Sequence, residues 1–322
     1  MNPHVSIIIP SKNSSKTIKK LLDSIFAEYD KSFFEVIVVD SSNDSTPNIL
    51  KKFPVRIFRL PFTKQRNATI SRNIGISNSR GDFIYFLDAD SFLEKNWQYH
   101  LKKIIKSGIQ IFGGPVSTRG NIFDFYCQKA IKSPMRHIRK SYKIYKSNFY
   151  NGNWPLAANL GIKKEVFDKI GKFDKNMENY EEVDLLWRAC QKNIEIHMLP
   201  FPKVIHSYRK SIIDGIKTYF RYGNGFGKFV VKYPLNFLSI YRVLFILLSV
   251  SLALLLIFSA IFARKDLQYF LLPIIGLYGY YLTINKFNKK ILLLPFFDLI
   301  YLGISYSLGV LYSIFSKLLK KN

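Results

Sequence analysis

The sequence predicts an α/β fold with a mostly parallel sheet flanked by helices, followed by a C-terminal α-helical membrane region. Short runs of β-branched residues alternate with helical patterns over residues 5–115, an order typical of parallel βαβ units with right-handed crossovers. Long uncharged stretches dominate residues 243–316, and stretches of that length cross bilayers as helices. We therefore expect two domains, residues 1–235 and 236–322.

The strands and helices of the first domain follow in a regular order. Val5–Ile9 is a run of β-branched residues that Pro10 closes. Apolar residues then recur with the spacing of an amphipathic helix at Ile18, Leu21, Leu22, Ile25 and Phe26. Later strands are expected at Glu35–Val39, at Val55–Arg59, before Asp88 and at Ile109–Phe112, and later helices at Arg66–Ser79 and Lys163–Ile170. Gly223–Gly227 is not a dinucleotide-binding motif, because its spacing differs and no strand precedes it. We expect it to be a flexible loop.

Two carboxylates follow the apolar strand that begins near Gly81. Asp88 and Asp90 stand one residue apart, directly after Phe86 and Leu87. Ligands bind at the carboxyl ends of strands in open α/β sheets, and two carboxylates there suit a divalent cation that holds phosphate oxygens. An Asp-x-Asp sequence alone is also common in solvated loops, so the assignment depends on the surrounding motifs.

An ordered series of motifs over residues 4–230 resembles the family 2 glycosyltransferases, which have the Rossmann-like fold called GT-A. The matching segments are Val5–Asn13, Val38–Thr46, Arg72-Asn73-x-Gly75, Asp88-Ala89-Asp90, Gly171–Asp174 and Glu181–Leu185. The resemblance implies transfer of a sugar from a nucleotide-diphosphate sugar, with Mg²⁺ or Mn²⁺ as cofactor. Single-sugar transfer is expected rather than polymer synthesis, because the sequence lacks the Gln-x-x-Arg-Trp element of the processive members.

Within this resemblance, each motif implies a part of the donor site. The nucleotide-sugar-binding residues would be Pro10, Ser11, Asn13, Asp40, Arg72, Asn73 and Asp88. The metal ligands would be Asp88, Asp90 and His206, with Asp90 the more direct ligand of the first two. Simpler roles stay open for three of these residues: Asp40 as a turn cap, Arg72 as a surface residue and His206 as a structural residue. Asp44 is expected to be a turn or cap residue.

The catalytic base is expected in Glu181-Glu182-Val183-Asp184, where the family commonly has Glu-Asp. We assign Glu182 as the base, with Glu181 and Asp184 as alternatives. A carboxylate that deprotonates the acceptor directly implies a single displacement with inversion at the anomeric carbon. Carboxylates at a helix N-terminus are also favoured by the helix macrodipole, which would explain the cluster without catalysis.

The resemblance places the acceptor contacts in the segment Asn153–Asn159. The residues implied are Trp154, Ala158 and Asn159, beside the donor and acceptor sugars. Trp154 can stack on a sugar ring, and a half-buried tryptophan of the core is the alternative.

Three uncharged stretches predict membrane helices. Val243–Ala263 has 21 residues without a charge, which as a helix is about 31 Å long and sufficient to cross a bilayer core. Leu267–Ile284 and Ile291–Ser316 follow, the last interrupted only by Asp298. Two and three crossings both stay open, and the short loops do not settle the orientation by the positive-inside rule. We place the catalytic domain on the cytosolic face because nucleotide sugars are cytosolic in this family, and Val5–Ile9 is too short for a signal peptide.

The chain is strongly basic, with 48 Lys and Arg against 22 Asp and Glu and a net charge of +26. Phe123–Tyr150 interleaves basic with aromatic residues, a pattern typical of segments that lie on an anionic membrane surface. A solvated lysine-rich face is the simpler alternative. Nucleic acid would need the same charges, but the adjacent membrane segments make it the weaker interpretation, and no nucleic-acid partner is expected.

The sequence therefore predicts a membrane-anchored inverting glycosyltransferase that moves a single sugar to a membrane-associated acceptor. The acceptor would be a polyprenyl phosphate or a lipid-linked glycan. The alternative is a non-catalytic, membrane-anchored scaffold that keeps the GT-A fold and binds polyanions through its basic surface.

Overall fold

The computed structural model describes residues 4–28, 30, 32–60, 67–119, 138, 140–151, 154–207, 212–234 and 305–319. The chain divides into two compact units, the first made of residues 1–119 and 133–208, the second of residues 120–132 and 209–322. The division near residue 208 differs from the boundary expected at residue 235, because the helix of residues 212–232 belongs to the second unit.

The first unit contains two sheets and six α-helices within its described residues. The strands are β1 Val5–Ser11, β2 Phe34–Asp40, β3 Arg56–Arg59, β4 Phe83–Phe86, β5 Ser91–Leu93, β6 Ile111–Gly113, β7 Val116–Arg119, β8 Tyr142–Ile144, β9 Leu160–Lys163, β10 Ile196–Met198 and β11 Val204–Ser207. The helices are α1 Ile18–Phe26, α2 Thr46–Leu50, α3 Ala68–Asn78, α4 Trp97–Lys106, α5 Val166–Ile170 and α6 Glu181–Gln191. The large sheet has the order β3-β2-β1-β4-β9-β6-β10-β8, and the small sheet has the order β5-β11-β7.

The first four strands of the large sheet confirm the expected parallel arrangement. β1 pairs in parallel with β2 and β4, and β2 pairs in parallel with β3. Ile7, Ile8 and Ile9 are fully buried because helices cover the sheet on both faces. α3 packs closely on β1 at Gly75, where a Cβ atom would overlap the Ile8 side chain.

The strand β9 was not expected from the sequence. The predicted helix Lys163–Ile170 is shorter, Val166–Ile170, and Leu160–Lys163 instead forms a strand antiparallel to both β4 and β6. The sheet is therefore mixed in its second half. Four residues are too few for a periodic pattern, so pairing with the strands on either side decides their conformation.

The small sheet brings a distant part of the chain beside the Asp-Ala-Asp loop. β10 ends at Met198 in the large sheet, and β11 follows it in the small sheet, where it pairs antiparallel with β5. In this pairing His206 lies opposite Ser91, the residue after Asp90. The register of β5 and β11 therefore places an imidazole near the two carboxylates.

The second unit contains two further described helices, α7 Ile212–Lys232 and α8 Ser307–Leu319, which pack against each other. The loop expected at Gly223–Gly227 is wrong, because these residues continue α7. A Cβ atom at Gly223 would overlap the Tyr306 backbone, so the glycine allows a close approach of the two chain segments.

No helix among the described residues has the length and apolar composition needed to cross a membrane. The predicted spans Val243–Ala263 and Leu267–Ile284 lie outside the described residues. Most of the third predicted span lies outside them as well, and its end falls in α8. Most of the basic segment Phe123–Tyr150 is also outside the described part of the chain.

Candidate active site

The candidate site lies in the first unit, at the carboxyl edge of the parallel strands. β4 is fully buried, and the backbone N–H of Leu87, just after it, donates to the Ile8 carbonyl at 3.2 Å. Asp88 follows, and a tight turn in which the Ser91 N–H donates to the Asp88 carbonyl at 3.0 Å closes the loop. The strand and the turn together fix the backbone positions of Asp88 and Asp90.

Asp88, Asp90 and His206 form a cluster whose ligand atoms all lie within 4.8 Å of one another. The Nε2 atom of His206 is 3.0 Å from Asp90 Oδ1 and 3.6 Å from Asp88 Oδ2. Burial would lower the pKa of His206, but hydrogen bonds and charge attraction from the two carboxylates raise it to about 10. Two carboxylate oxygens suit Mn²⁺ or Mg²⁺, which prefer oxygen ligands, and a neutral imidazole can add a nitrogen ligand.

Arg72 connects this cluster to the start of α6. Its Nη2 donates to Asp88 Oδ1 at 2.9 Å and its Nη1 donates to Glu181 Oε1 at 2.6 Å. Only 4% of Arg72 is exposed, so the alternative of a surface arginine is wrong. The Nε of Arg72 and the Oε2 of Glu181 are buried without a hydrogen-bond partner among the described residues.

The three carboxylates at the start of α6 have different surroundings. Asp184 is fully buried and pairs with Arg188 at 2.9 Å, and Arg188 in turn donates to the Lys172 carbonyl. Asp184 is therefore engaged by Arg188 in this structure, and its assignment as an alternative base stays a prediction. Glu181 is buried against Arg72.

Glu182 is the most exposed of the three carboxylates at the start of α6. On its carboxylate the positive charge of Arg72 acts against the negative charges of Glu181 and Asp88. Burial and the negative charge of Glu181 raise the pKa of Glu182 to about 8. A carboxylate with such a pKa is suited to general-base catalysis near neutral pH. The macrodipole of α6 also favours acidic residues in its first turn. A helix-stabilising role and a catalytic role for Glu182 are therefore compatible.

Asp40, at the end of β2, is fully buried. Its Oδ1 accepts a hydrogen bond from Ser42 Oγ at 2.5 Å, and its Oδ2 forms an ion pair with Arg59. Sequence reasoning missed Arg59, although its place at the end of the third predicted strand was a usable signal. Asp44 accepts hydrogen bonds from the backbone of Thr46 and Ser15, which confirms its role in a turn.

The loop after β1 is joined to the loop after β2. Asn13 has a left-handed backbone with φ 51°, its N–H donates to Ser42 Oγ at 2.7 Å, and its Oδ1 accepts from the Asn43 N–H at 3.0 Å. Pro10 is half-buried, and the buried Ser11 hydroxyl has no partner among the described residues. Ser11 is therefore the residue of this loop with an unused polar group at the strand end.

Asn73 is hydrogen-bonded to the Phe173 backbone, and its assignment to the donor site stays a prediction. Its Nδ2 donates to the Phe173 carbonyl at 2.8 Å and its Oδ1 accepts from the Phe173 N–H at 3.0 Å. The Arg72-Asn73 motif therefore serves two purposes. Arg72 faces the carboxylates, while Asn73 fastens the segment Gly171–Asp174 to α3.

The three residues predicted to contact the acceptor are buried in the structure. Asn159 is fully buried, accepts from the Tyr85 hydroxyl at 2.7 Å and donates to the carbonyls of Pro115 and Pro202. Trp154 is 6% exposed and its Nε1 donates to the Phe149 carbonyl at 2.7 Å, so the alternative of a core tryptophan holds. Ala158 is 5% exposed. Their assignment as acceptor contacts stays a prediction.

Comparisons with known proteins agree with this geometry. The chain matches the model of Glycosyl transferase family 2 over residues 6–171. Glycosyltransferase AglE from Haloferax volcanii is 28% identical over 193 residues, which are 58% of this chain and 61% of that protein. The chain therefore spans less than two thirds of the length of this relative.

Two further proteins match over more of their length. Dolichyl N-acetyl-alpha-D-glucosaminyl phosphate 3-beta-D-2,3-diacetamido-2,3-dideoxy-beta-D-glucuronosyltransferase from Methanococcus voltae is 24% identical over 275 residues, 80% of this chain and 84% of that protein. The solved structure of mannosyltransferase PcManGT from Pyrobaculum calidifontis, in complex with GDP-Man and Mn²⁺, superposes with a TM-score of 0.63. The two sequences are 17% identical, and the match covers 97% of this chain and 88% of the mannosyltransferase chain. A likeness at this level of identity shows the fold alone.

Proposed function

The chain belongs to glycosyl transferase family 2, and from this premise we propose that it transfers a single sugar from a nucleotide-diphosphate sugar to a membrane-associated acceptor, with inversion. The observation that carries the proposal is the cluster of Asp88, Asp90 and His206 within 4.8 Å. Arg72 links this cluster to Glu181, the neighbour of the candidate base Glu182.

The donor's diphosphate is the group that this cluster suits. Asp88, Asp90 and His206 would hold Mg²⁺ or Mn²⁺, which supplies charge neutralisation to the departing diphosphate. Arg72 adds a fixed positive charge beside Asp88. Its buried Nε has no partner among the described residues, so it retains a donor for a phosphate oxygen.

Glu182 supplies the base. Its carboxylate takes the proton of the acceptor hydroxyl as the acceptor oxygen forms a bond to the anomeric carbon. The bond from that carbon to the phosphate oxygen breaks, and its electron pair leaves with the nucleoside diphosphate. Attack opposite the leaving group inverts the anomeric carbon in one displacement.

A lipid-linked glycan fits this site better than a polyprenyl phosphate. A glycan presents a neutral hydroxyl, which needs a base, whereas a phosphate acceptor is already ionised. The relative from Methanococcus voltae carries a dolichyl phosphate sugar in its name, which supports a lipid-linked acceptor. The uncharged stretches of residues 243–316 and the net charge of +26 support a place at an anionic membrane, with the catalytic unit on the cytosolic face.

Hydrolysis of nucleotide sugars by the full chain in detergent tests the proposal. A panel of UDP- and GDP-sugars is incubated with Mn²⁺ or Mg²⁺, beside Asp90→Asn, Glu182→Gln and the control Glu178→Gln, whose side chain is exposed. We expect slow, metal-dependent release of one nucleotide that Asp90→Asn abolishes and Glu178→Gln leaves unchanged. Neither release nor metal-dependent nucleotide binding in the unaltered chain would instead favour a non-catalytic scaffold.

A further inference from the structure

Arg59 occupies a position at the carboxyl edge of the sheet that the motifs do not assign. It is the last residue of β3 and lies opposite Asp40 in the register of β2 and β3. Ser11 lies opposite Asp40 on the other side, in the register of β1 and β2. Ser11, Asp40 and Arg59 therefore form one row across three neighbouring strand ends.

The Asp40 carboxylate is closed to a ligand in this row. It is fully buried, and its Oδ1 accepts from the Ser42 hydroxyl at 2.5 Å and from the Ser42 N–H at 3.3 Å. Its Oδ2 is paired with Arg59. An N–H group of a nucleobase can reach this carboxylate only if the ion pair with Arg59 breaks.

The Arg59 guanidinium, in contrast, is open to a ligand. Its side chain is 49% exposed. Its Nη1 pairs with Asp40 and its Nη2 donates to the Ser42 carbonyl at 2.9 Å. Two anchor points fix the plane of the group, and its other N–H groups have no partner among the described residues. A guanidinium held in this way presents hydrogen-bond donors in a fixed direction.

The order of the strands places Arg59 on the side of the nucleoside. Glu182 lies in the first turn of α6, and α6 packs beside α5 and β10, on one side of the Asp88 cluster. A base-assisted displacement puts acceptor and leaving group on opposite sides of the anomeric carbon. The nucleotide therefore extends from β4 towards β1, β2 and β3. Three strand spacings amount to about 14 Å, a distance that an extended nucleoside diphosphate can cover.

We propose that Arg59, oriented by Asp40 and the Ser42 carbonyl, recognises the nucleobase of the donor and selects bases with a carbonyl edge. This inference rests on the proposed function, because it assumes a nucleotide-sugar donor. Arginine offers only hydrogen-bond donors. Uracil and guanine present carbonyl oxygens to it, whereas adenine and cytosine present an amino group at the corresponding position. Asp40 then acts as a positioning residue for Arg59.

Nucleotide binding to the full chain tests this assignment. Affinities for UDP, GDP, CDP and ADP are measured by calorimetry with Mn²⁺ for the unaltered chain, Arg59→Met, Arg59→Lys and Arg56→Met. Arg56 lies on the same strand but pairs with Glu35, so it is the matched control. Arg59→Lys keeps a charge beside Asp40 and serves if Arg59→Met fails to fold, which circular dichroism checks.

We expect the unaltered chain to bind UDP or GDP at least about tenfold more tightly than ADP and CDP. Arg59→Met should lower the affinity for that preferred nucleotide by roughly 5- to 150-fold, the range of a lost bidentate base contact. It should leave the affinities for ADP and CDP nearly unchanged. Arg59→Lys should lose most of the preference, because lysine lacks the planar fork. Arg56→Met should keep it.

Three results would overturn the inference. An equal loss for all four nucleotides in Arg59→Met would mean a phosphate contact. An unchanged preference would mean that another residue reads the base. Tighter binding of UDP or GDP by Arg59→Met than by the unaltered chain would mean that Arg59 keeps the nucleotide away from Asp40. Each of these leaves metal-dependent nucleotide binding intact, whereas its absence from the unaltered chain would refute the proposed function itself.

Discussion

The pH dependence of turnover offers a direct test of Glu182 as the base. Burial and the negative charge of Glu181 raise the pKa of Glu182 from 4.5 to about 8. A general base acts only when it is deprotonated, so activity is present above this pKa and is lost as pH falls through it. At pH 7, one unit below the pKa, about a tenth of the Glu182 side chains are ionised.

A bound cation changes the size of the pKa shift of Glu182, but activity is still lost as the pH falls. It adds positive charge beside Asp88, whose negative charge contributes to the raised pKa of Glu182, and therefore lowers that pKa. We expect the acidic limb of kcat/KM, measured with saturating Mn²⁺, between about pH 6 and pH 8. Glu182→Gln should remove the limb and lower kcat/KM by about 10²- to 10⁴-fold, the usual contribution of a general base.

The assay must separate Glu182 from His206, since a proton on His206 competes with the metal. A limb that reports His206 moves to lower pH as the Mn²⁺ concentration rises, whereas a limb that reports Glu182 does not move once the metal saturates. Glu178→Gln serves as the control. A limb below about pH 5, or full activity in Glu182→Gln, would refute the assignment of Glu182.

Three other perturbations test the surrounding residues. Asn159→Ala should lower the free energy of unfolding by about 2–4 kcal/mol, because it leaves the Tyr85 hydroxyl and the Pro115 and Pro202 carbonyls without their partner. Chemical denaturation measures this free energy. An effect no larger than that of Asn176→Ala at the surface would contradict the structural role of Asn159. Glu181→Gln should shift the acidic limb to lower pH by on the order of one unit, since a negative charge beside the base is removed; a limb that stays in place would exclude this coupling. Mn²⁺ should raise the thermal midpoint of the unaltered chain but not of Asp90→Asn. Because His206 has a pKa of about 10 and must lose a proton to bind the metal, the affinity for Mn²⁺ should fall by about tenfold for each unit that the pH is lowered below 10. A pH-independent Mn²⁺ affinity would show that His206 is not a ligand.

The parallel half of the sheet could be predicted from the sequence because each strand carries its own local signal. Val5–Ile9 and Glu35–Val39 are continuous apolar runs that end at polar residues, and such runs form strands buried on both faces. The row of Ser11 and Asp40 at one edge follows directly from parallel pairing. The Asp88 and Asp90 pair was found for the same reason.

The partners of these residues could not be predicted in the same way. Asn73 and Asn159 stand in motif segments, but the structure uses their amides to hold the Phe173 backbone and the carbonyls of Pro115 and Pro202. A motif gives the residue type at a position, and an amide can bind either a ligand or the backbone. Burial decides between the two uses, and burial depends on elements far away in the chain.

The sequence by itself determined the family, the α/β class, the parallel strands and the two carboxylates after β4, because these depend on local patterns along the chain. Only the tertiary structure decided which ion pairs form. Arg72 pairs with both Asp88 and Glu181. Asp184 pairs with Arg188, and Asp40 pairs with Arg59. The Arg72 and Glu181 pair spans 109 residues. A contact of that kind leaves no periodic signal, since it arises from strand order and register rather than from neighbouring residues.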